Sequence, residues 1–145
     1  MRFDFDLVRD ILLFFESDRF NPTRKYSIET FIDENKFSDT KDDPYSDELT
    51  PFEQEYVRVW KHIHEMIDAG LIEGQEISMG RAGCSNYLFS ISLHNASGLT
   101  FAGQSYLDQL RDDTRFNRFK EKIKKHAIPV ATALAPNLIP YIFSL

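Results

Sequence analysis

The apolar residues near the N-terminus recur at the spacing of an amphipathic helix. Between residues 4 and 16, hydrophobic side chains are separated by three or four positions, which places them on one helical face: Leu7, Val8, Ile11, Leu12 and Phe15. Asp4 or Asp6 can accept the free backbone amides at the helix start. The pattern predicts a first helix with one buried face.

A second helix is predicted over residues 50–69, with signals at both ends. Thr50 suits the N-cap, Pro51 the first helical position and Glu53 the third, which together form a capping box. Gly70 stands where a left-handed cap ends a helix. One face of this predicted helix is apolar and consists of Tyr56, Val59, Trp60, Ile63 and Ile67.

The segment between these two helices gives weaker signals. Asn21-Pro22 indicates a turn, and residues 39–48 form an acidic loop around Pro44. Residues 26–33 fit either a short strand or a short helix capped by Ser27, since eight residues are too few to separate the two periods.

A hairpin and a further helix are predicted after Gly70. Leu71-Ile72 opens the first strand, a glycine-rich turn spans residues 80–86, and apolar residues alternate from Tyr87 to Leu93. A long C-terminal helix is then predicted from Thr100 to Lys125, and Asp112-Asp113-Thr114 could kink or restart it.

The order of these elements predicts an α+β fold of the winged helix-turn-helix type. The hairpin would be the wing, and residues 50–69 would occupy the position of the recognition helix. Residues 1–125 are expected to form this domain with its added long C-terminal helix, followed by an apolar tail over residues 126–145. The tail has three prolines and no charged side chain after His126, and it is expected to pack on the core or on a second subunit.

Three stretches of the sequence resemble a known family. They are DLVRDIL at residues 6–12, HIHEMIDAGLIE at residues 62–73 and LTFAGQSYLDQLRDDT at residues 99–114. The chain is similar to small bacterial and phage proteins catalogued as a domain of unknown function, for which a winged-helix fold is assumed. The resemblance implies this fold and an origin in bacteria or mobile elements, and it implies no catalytic residue.

Charge is unevenly distributed along the 145 residues, whose net charge is −6. Residues 1–80 hold nine Lys and Arg against nineteen Asp and Glu, a net charge of −10, whereas residues 81–145 hold eight against four, a net charge of +4. Seven of the eight Lys and Arg residues of the C-terminal part lie between Arg111 and Lys125. An overall acidic chain is not expected to coat nucleic acid indiscriminately, but its C-terminal half could bind a polyanion.

The sequence contains no recognisable catalytic or metal-binding pattern. The single Cys excludes a disulfide framework, and no phosphate-binding loop or nucleophile elbow is present. His62 and His64 are two positions apart on a helix, so they point about 200° apart and do not bind one metal from the same face. We therefore expect a protein that is not an enzyme and uses no cofactor or metal.

The winged-helix prediction leads to a DNA-binding hypothesis. Polar side chains on the exposed side of the second helix would read base edges, the wing tip would reach a phosphate, and the C-terminal helix would add charge. These candidates are Gln54, Arg58, Lys61 and His62 on the helix, Arg81 in the wing, and Arg115 and Arg118. Double-stranded DNA is the expected partner of this regulatory protein, although Glu53, Glu55, Glu65 and Asp68 on the same helix oppose phosphate binding.

Two other functions fit the sequence. The acidic surface would suit a basic protein partner, which makes an interaction module, an inhibitor or a defence-related accessory factor the first alternative. The apolar tail after Lys122, Lys124 and Lys125 makes a membrane-associated effector the second, although prolines interrupt the tail. Because no targeting signal is found, we expect a cytoplasmic protein, and we expect the apolar tail to make the contact of a homodimer.

Overall fold

A computed structural model describes residues 3–17, 28–33, 35–37, 48–74 and 98–145 of the chain. The longer helices are α1 (Phe5–Ser17), α2 (Pro51–Asp68), α3 (Phe101–Leu110) and α4 (Asp113–His126), and the short helices α5 (Val130–Ala133) and α6 (Ile139–Ser144) follow. Two 3-10 turns, Ile28–Phe31 and Pro136–Leu138, and two strands, β1 (Ile72–Glu73) and β2 (Gly98–Leu99), complete the described elements.

The prediction of an α+β winged helix is wrong, because the described chain is mostly helical. Its β structure consists of one antiparallel pair of two-residue strands, in which Ile72 lies opposite Leu99 and Glu73 opposite Gly98. The described part of the core is built mainly from side chains of the helices, and no extended sheet forms one of its layers there. The predicted strand at residues 87–93 and the glycine-rich turn at residues 80–86 lie outside the described residues.

The predicted start of α2 is confirmed. Thr50 is the N-cap, its hydroxyl accepts a hydrogen bond from the Glu53 backbone N–H at 3.1 Å, and Pro51 occupies the first helical position. Gly70 follows the helix with a φ of 77°, which is the left-handed conformation that glycine adopts without a steric penalty. Local chemistry therefore defines both ends of this helix.

Helix α1 packs on α2 and α3 through the predicted face. Val8, Ile11, Leu12 and Phe15 are buried, and Leu7 is half-buried. On α2, the buried set is broader than predicted and comprises Glu53, Tyr56, Val59, His62, Ile63 and Met66, whereas Trp60 and Ile67 are half-buried. Together these residues form the centre of the core.

The predicted long C-terminal helix is divided into α3 and α4 at Asp112. The Asp112 carboxylate accepts from the Thr114 backbone N–H at 3.3 Å and starts α4, so the aspartates restart the helix. At the other end of α3, Thr100 is the N-cap and accepts from the Gly103 N–H at 2.9 Å. The backbone N–H of Thr100 donates to the Leu71 carbonyl at 3.1 Å, and this bond holds α3 against the end of α2.

The tail that follows α4 packs on the chain's own core. Ala133, Leu134, Ile139 and Ile142 are buried together with the residues of the four longer helices. The Tyr106 hydroxyl donates to the Ala133 carbonyl at 2.8 Å across this contact. The described tail is thus part of the same packed unit as α1–α4.

Candidate nucleic-acid interface

Helix α4 is the most basic element that the structure describes. Its fourteen residues include six Lys and Arg and two carboxylates, and Lys124, Lys125 and His126 occupy the last turn. Cations there interact favourably with the negative end of the helix dipole, while Asp113 suits the first turn. Phe116 and Phe119 are the buried anchors, so the charged side chains are turned away from the core.

Four of these cations lie on one strip of α4. Their spacing of three, four and three residues places them within about 80° of the helix circumference and along about 15 Å of its length. We call this strip the α4 basic face: Arg115, Arg118, Lys122 and Lys125. The last three of them, with Glu121, also line a shallow depression of about 180 Å³.

The two arginines of the α4 basic face are held in position by the tail. The guanidinium carbon of Arg115 lies 4.5 Å from the centre of the Phe143 ring, and that of Arg118 lies 5.8 Å from it. Arg115 also donates from Nε to the Gln109 carbonyl at 3.1 Å. Cation–π contact leaves the charge of each guanidinium intact and limits its motion.

Within the part of the chain that the structure describes, no Asp or Glu side chain forms an ion pair with the α4 basic face. Lys122 donates to the main-chain oxygen of Leu145. Other cations nearby are neutralised instead, since Lys120 lies 2.9 Å from Asp6 and Arg111 contacts Glu16. Arg115, Arg118 and Lys125 of the α4 basic face therefore keep their charge available to an external anion.

Helix α2 does not present the surface that the sequence predicted. Its Arg58 is partly buried and lies 3.0 Å from Glu55 and 3.3 Å from Asp4, so its charge is compensated. Gln54 is exposed and donates to the Leu49 carbonyl at 3.0 Å. Lys61 is exposed, and so are two acidic residues of the helix, Glu65 and Asp68.

The expectation that His62 is exposed is wrong, because its side chain is fully buried at 0% exposure. Its ring stacks on Phe3 with the ring centres 4.4 Å apart. Residues 3 and 4 precede α1 and cover this side of α2, a long-range contact that helical spacing does not reveal. Of the other predicted DNA-contacting residues, Arg115 and Arg118 lie together on α4, and Arg81 lies outside the described residues.

The sequence matches the family described as "Hypothetical protein (DUF2513)" over residues 2–129. This chain belongs to the DUF2513 family. No curated protein and no solved structure gives a significant match. The DUF2513 match includes α1–α4 and ends before α5, so Phe143 lies beyond the matched region.

The DUF2513 chain also has an open cleft beside the opposite edge of α4. It has a volume of about 860 Å³ and lies between the N-terminal segment, α2 and α4. Its lining combines aromatic and charged side chains, including Phe3, Phe5, Arg58, Lys120 and Lys124. Lys120 and Lys124 line this cleft and do not belong to the α4 basic face.

Neither a metal site nor a membrane span is found in the described ranges. No three His, Cys, Asp or Glu side chains there are grouped closely enough to hold a metal ion. None of the helices there combines the length and the apolar character that crossing a bilayer requires.

Sequence reasoning identified the basic run but not its arrangement. Lys122 and Lys125 complete the spacing of three, four and three residues that begins at Arg115. This spacing places the four cations on one face only when residues 113–126 are taken as one continuous helix. Phe143 lies 28 and 25 positions from Arg115 and Arg118, and no local pattern indicates that it contacts them.

Proposed function

We propose that this DUF2513 protein is a non-enzymatic regulatory protein of bacterial or phage origin that binds double-stranded DNA through the α4 basic face. The observation that carries the proposal is the strip of four cations, none of which is paired with an Asp or Glu side chain in the described structure. Neutralisation of phosphates supplies most of the affinity of a protein for duplex DNA, and an unpaired basic strip is suited to it.

The dimensions of the α4 basic face agree with a contact to the DNA backbone. A strip about 15 Å long spans several phosphates, because duplex DNA carries one negative charge per about 1.7 Å of helix axis. Arginine forms bidentate hydrogen bonds with phosphate, and the Phe143 ring reduces the motion of both arginines before binding. Four cations are thus expected to make about four phosphate contacts.

Helix α2 is a poor candidate for the same role. Arg58 is already paired with Glu55 and Asp4, and His62 is buried. Lys61 shares the exposed surface of the helix with Glu65, so its charge is offset. The net positive charge of α4 is the feature that favours it as the contact surface.

A double substitution on α4 tests the proposal. Arg115→Ala/Arg118→Ala removes two phosphate contacts, and we expect it to weaken duplex binding by roughly 100-fold at about 50 mM salt. The measurement is fluorescence anisotropy with a labelled duplex of mixed sequence.

Lys61→Ala is the matched control, because it removes an exposed cation from α2 and leaves α4 unchanged. Its affinity should stay within about twofold of the unsubstituted protein. If Lys61→Ala loses affinity for the duplex and Arg115→Ala/Arg118→Ala keeps it, the interface lies on α2 and the proposal is wrong. If the unsubstituted protein does not bind the duplex, the function as a protein-interaction module is favoured instead.

A further inference from the structure

His62 connects the N-terminal segment to α2 through two hydrogen bonds. Its Nε2 lies 2.8 Å from the backbone nitrogen of Asp4, and its Nδ1 lies 2.6 Å from the Arg58 carbonyl oxygen. Phe3 stacks on the ring at an interplanar angle of 15°. The imidazole is therefore enclosed by Phe3, Asp4 and α2, and its side chain is fully buried.

These two contacts determine the protonation state of His62. A backbone N–H donates only to a ring nitrogen that carries no proton, so Nε2 is the acceptor in the bond with Asp4. Nδ1 then carries the proton that is donated to the Arg58 carbonyl. The ring is neutral in this arrangement, and a proton added at Nε2 would oppose the Asp4 N–H and break the bond.

Asp4, which is bonded to His62, also contacts α1 and Arg58. Its carboxylate accepts from the Asp6 N–H at 2.9 Å at the start of α1, and its other oxygen lies 3.3 Å from Arg58. Phe3 and Asp4 also line the cleft that faces α4. A displacement of Asp4 from His62 would therefore change the first turn of α1 and one wall of the cleft.

We propose that His62 is an acid-sensitive clasp, whose protonation releases Phe3 and Asp4 from α2 and opens the cleft between the N-terminal segment and α4. The proposal rests on the hydrogen bonds and the burial of His62, and it is independent of the DNA-binding function.

Burial is the main cause that favours the neutral ring of His62. Burial lowers the pKa of His62 from its usual value of 6.5, and the Arg58 cation adds to this effect, whereas the hydrogen bond to the Arg58 carbonyl raises the pKa. The carboxylates of Asp4 and Glu55 act in the opposite direction, but both are engaged by Arg58. Across the cleft, α4 contributes Lys120, Lys124 and Glu121, and Lys120 is paired with Asp6 of α1.

The direction of the pH dependence follows from this lowered pKa. Release of Phe3 and Asp4 exposes His62 and raises its pKa back towards 6.5, so the released state binds the proton more readily than the docked state. The contact of Phe3 and Asp4 with α2 is most stable above pH 6.5. It becomes less stable as the pH falls below 6.5 towards the lowered pKa of His62.

An NMR titration of the intact chain tests the clasp. The ring nitrogens of His62 and the hydrogen exchange of the Asp4 amide would be followed from about pH 7.5 to about pH 5. We expect a midpoint below 6.5 and, after correction for the intrinsic rate, about tenfold faster exchange at Asp4 once His62 is protonated. Unchanged protection of the Asp4 amide down to about pH 5 would overturn the proposal.

Two matched variants on α2 separate the clasp from general acid effects. His62→Gln keeps a hydrogen-bond acceptor that does not titrate, so protection of the Asp4 amide should become independent of pH. His64→Gln changes the neighbouring histidine, which is half-buried and contacts Asp68, and it should keep the pH dependence of the unsubstituted protein. A pH dependence that survives in His62→Gln would contradict the role of His62.

Discussion

Replacement of Gly103 by alanine is expected to destabilise the fold by about 3 kcal/mol or more. A Cβ atom at this position would overlap the carbonyl oxygen of Leu71, which belongs to the main chain and already accepts a hydrogen bond from Thr100. The higher helix propensity of alanine offsets only about 1 kcal/mol of this cost. Urea denaturation followed by circular dichroism measures the loss as a lower midpoint.

Gly70→Ala is the control for this experiment. No atom lies within 4 Å of a Cβ built at Gly70, so this substitution meets only the strain of a φ of 77°. The expected cost is about 1 kcal/mol. Equal effects of the two substitutions would show that the close approach of α3 to Leu71 does not limit the choice of residue at position 103.

The substitution Phe119→Ala is expected to cost about 3–5 kcal/mol. The Phe119 ring is fully buried and makes edge contacts with Phe5, at 5.8 Å between ring centres, and with Tyr106, at 6.2 Å. It also lies 6.2 Å from Phe143, so one side chain connects α1, α3, α4 and α6. Stabilities of single domains are about 5–15 kcal/mol, and this loss would remove a large fraction of the total.

Phe101→Ala tests whether burial causes this loss. Phe101 begins α3 with 95% of its surface exposed, and the same substitution there should change the free energy of unfolding by less than about 0.5 kcal/mol. Both variants would be compared by urea denaturation at the same pH. A loss below about 1 kcal/mol for Phe119→Ala would contradict the described packing of the core.

Local signals in the sequence were sufficient to locate the four longer helices. The apolar spacing of α1 and the Thr50-Pro51-Phe52-Glu53 start of α2 depend on contacts within a few residues, and the structure confirms both. The motif Asp112-Asp113-Thr114 was compatible with a kink or with a restart of the helix, and the structure shows a restart with Asp112 as the N-cap. The Leu-Thr-x-x-Gly pattern at residues 99–103 also has a local explanation, because Thr100 caps α3 and Gly103 permits its approach to Leu71.

The winged-helix prediction was wrong because the order of elements along a chain does not determine how they pack. A helix pair followed by short apolar segments is compatible with a helical core as well as with a sheet, and the observed strands contain two residues each. Pairing of this length contributes little to the core, which is built mainly from the helices. The order of the elements alone does not indicate whether a helical core or a sheet forms.

The candidate site also depends on contacts between distant parts of the chain. His62 is buried by Phe3 and contacts Asp4, which lies 58 positions earlier in the sequence, so its helical position alone suggested an exposed residue. Phe143 reaches Arg115 and Arg118 only because the tail folds back on α4. The charge of α4 was evident from the sequence, whereas its single strip of cations required the structure.

The salt dependence of duplex binding tests the proposed role of the α4 basic face most directly. About four phosphate contacts predict a slope of roughly −3.6 in a plot of log affinity against log salt, or about 100-fold weaker binding when salt rises from about 50 to about 200 mM. For Arg115→Ala/Arg118→Ala the slope should fall to about −1.8. An absence of binding at about 50 mM salt, or equal slopes for the two proteins, would contradict DNA binding through this face.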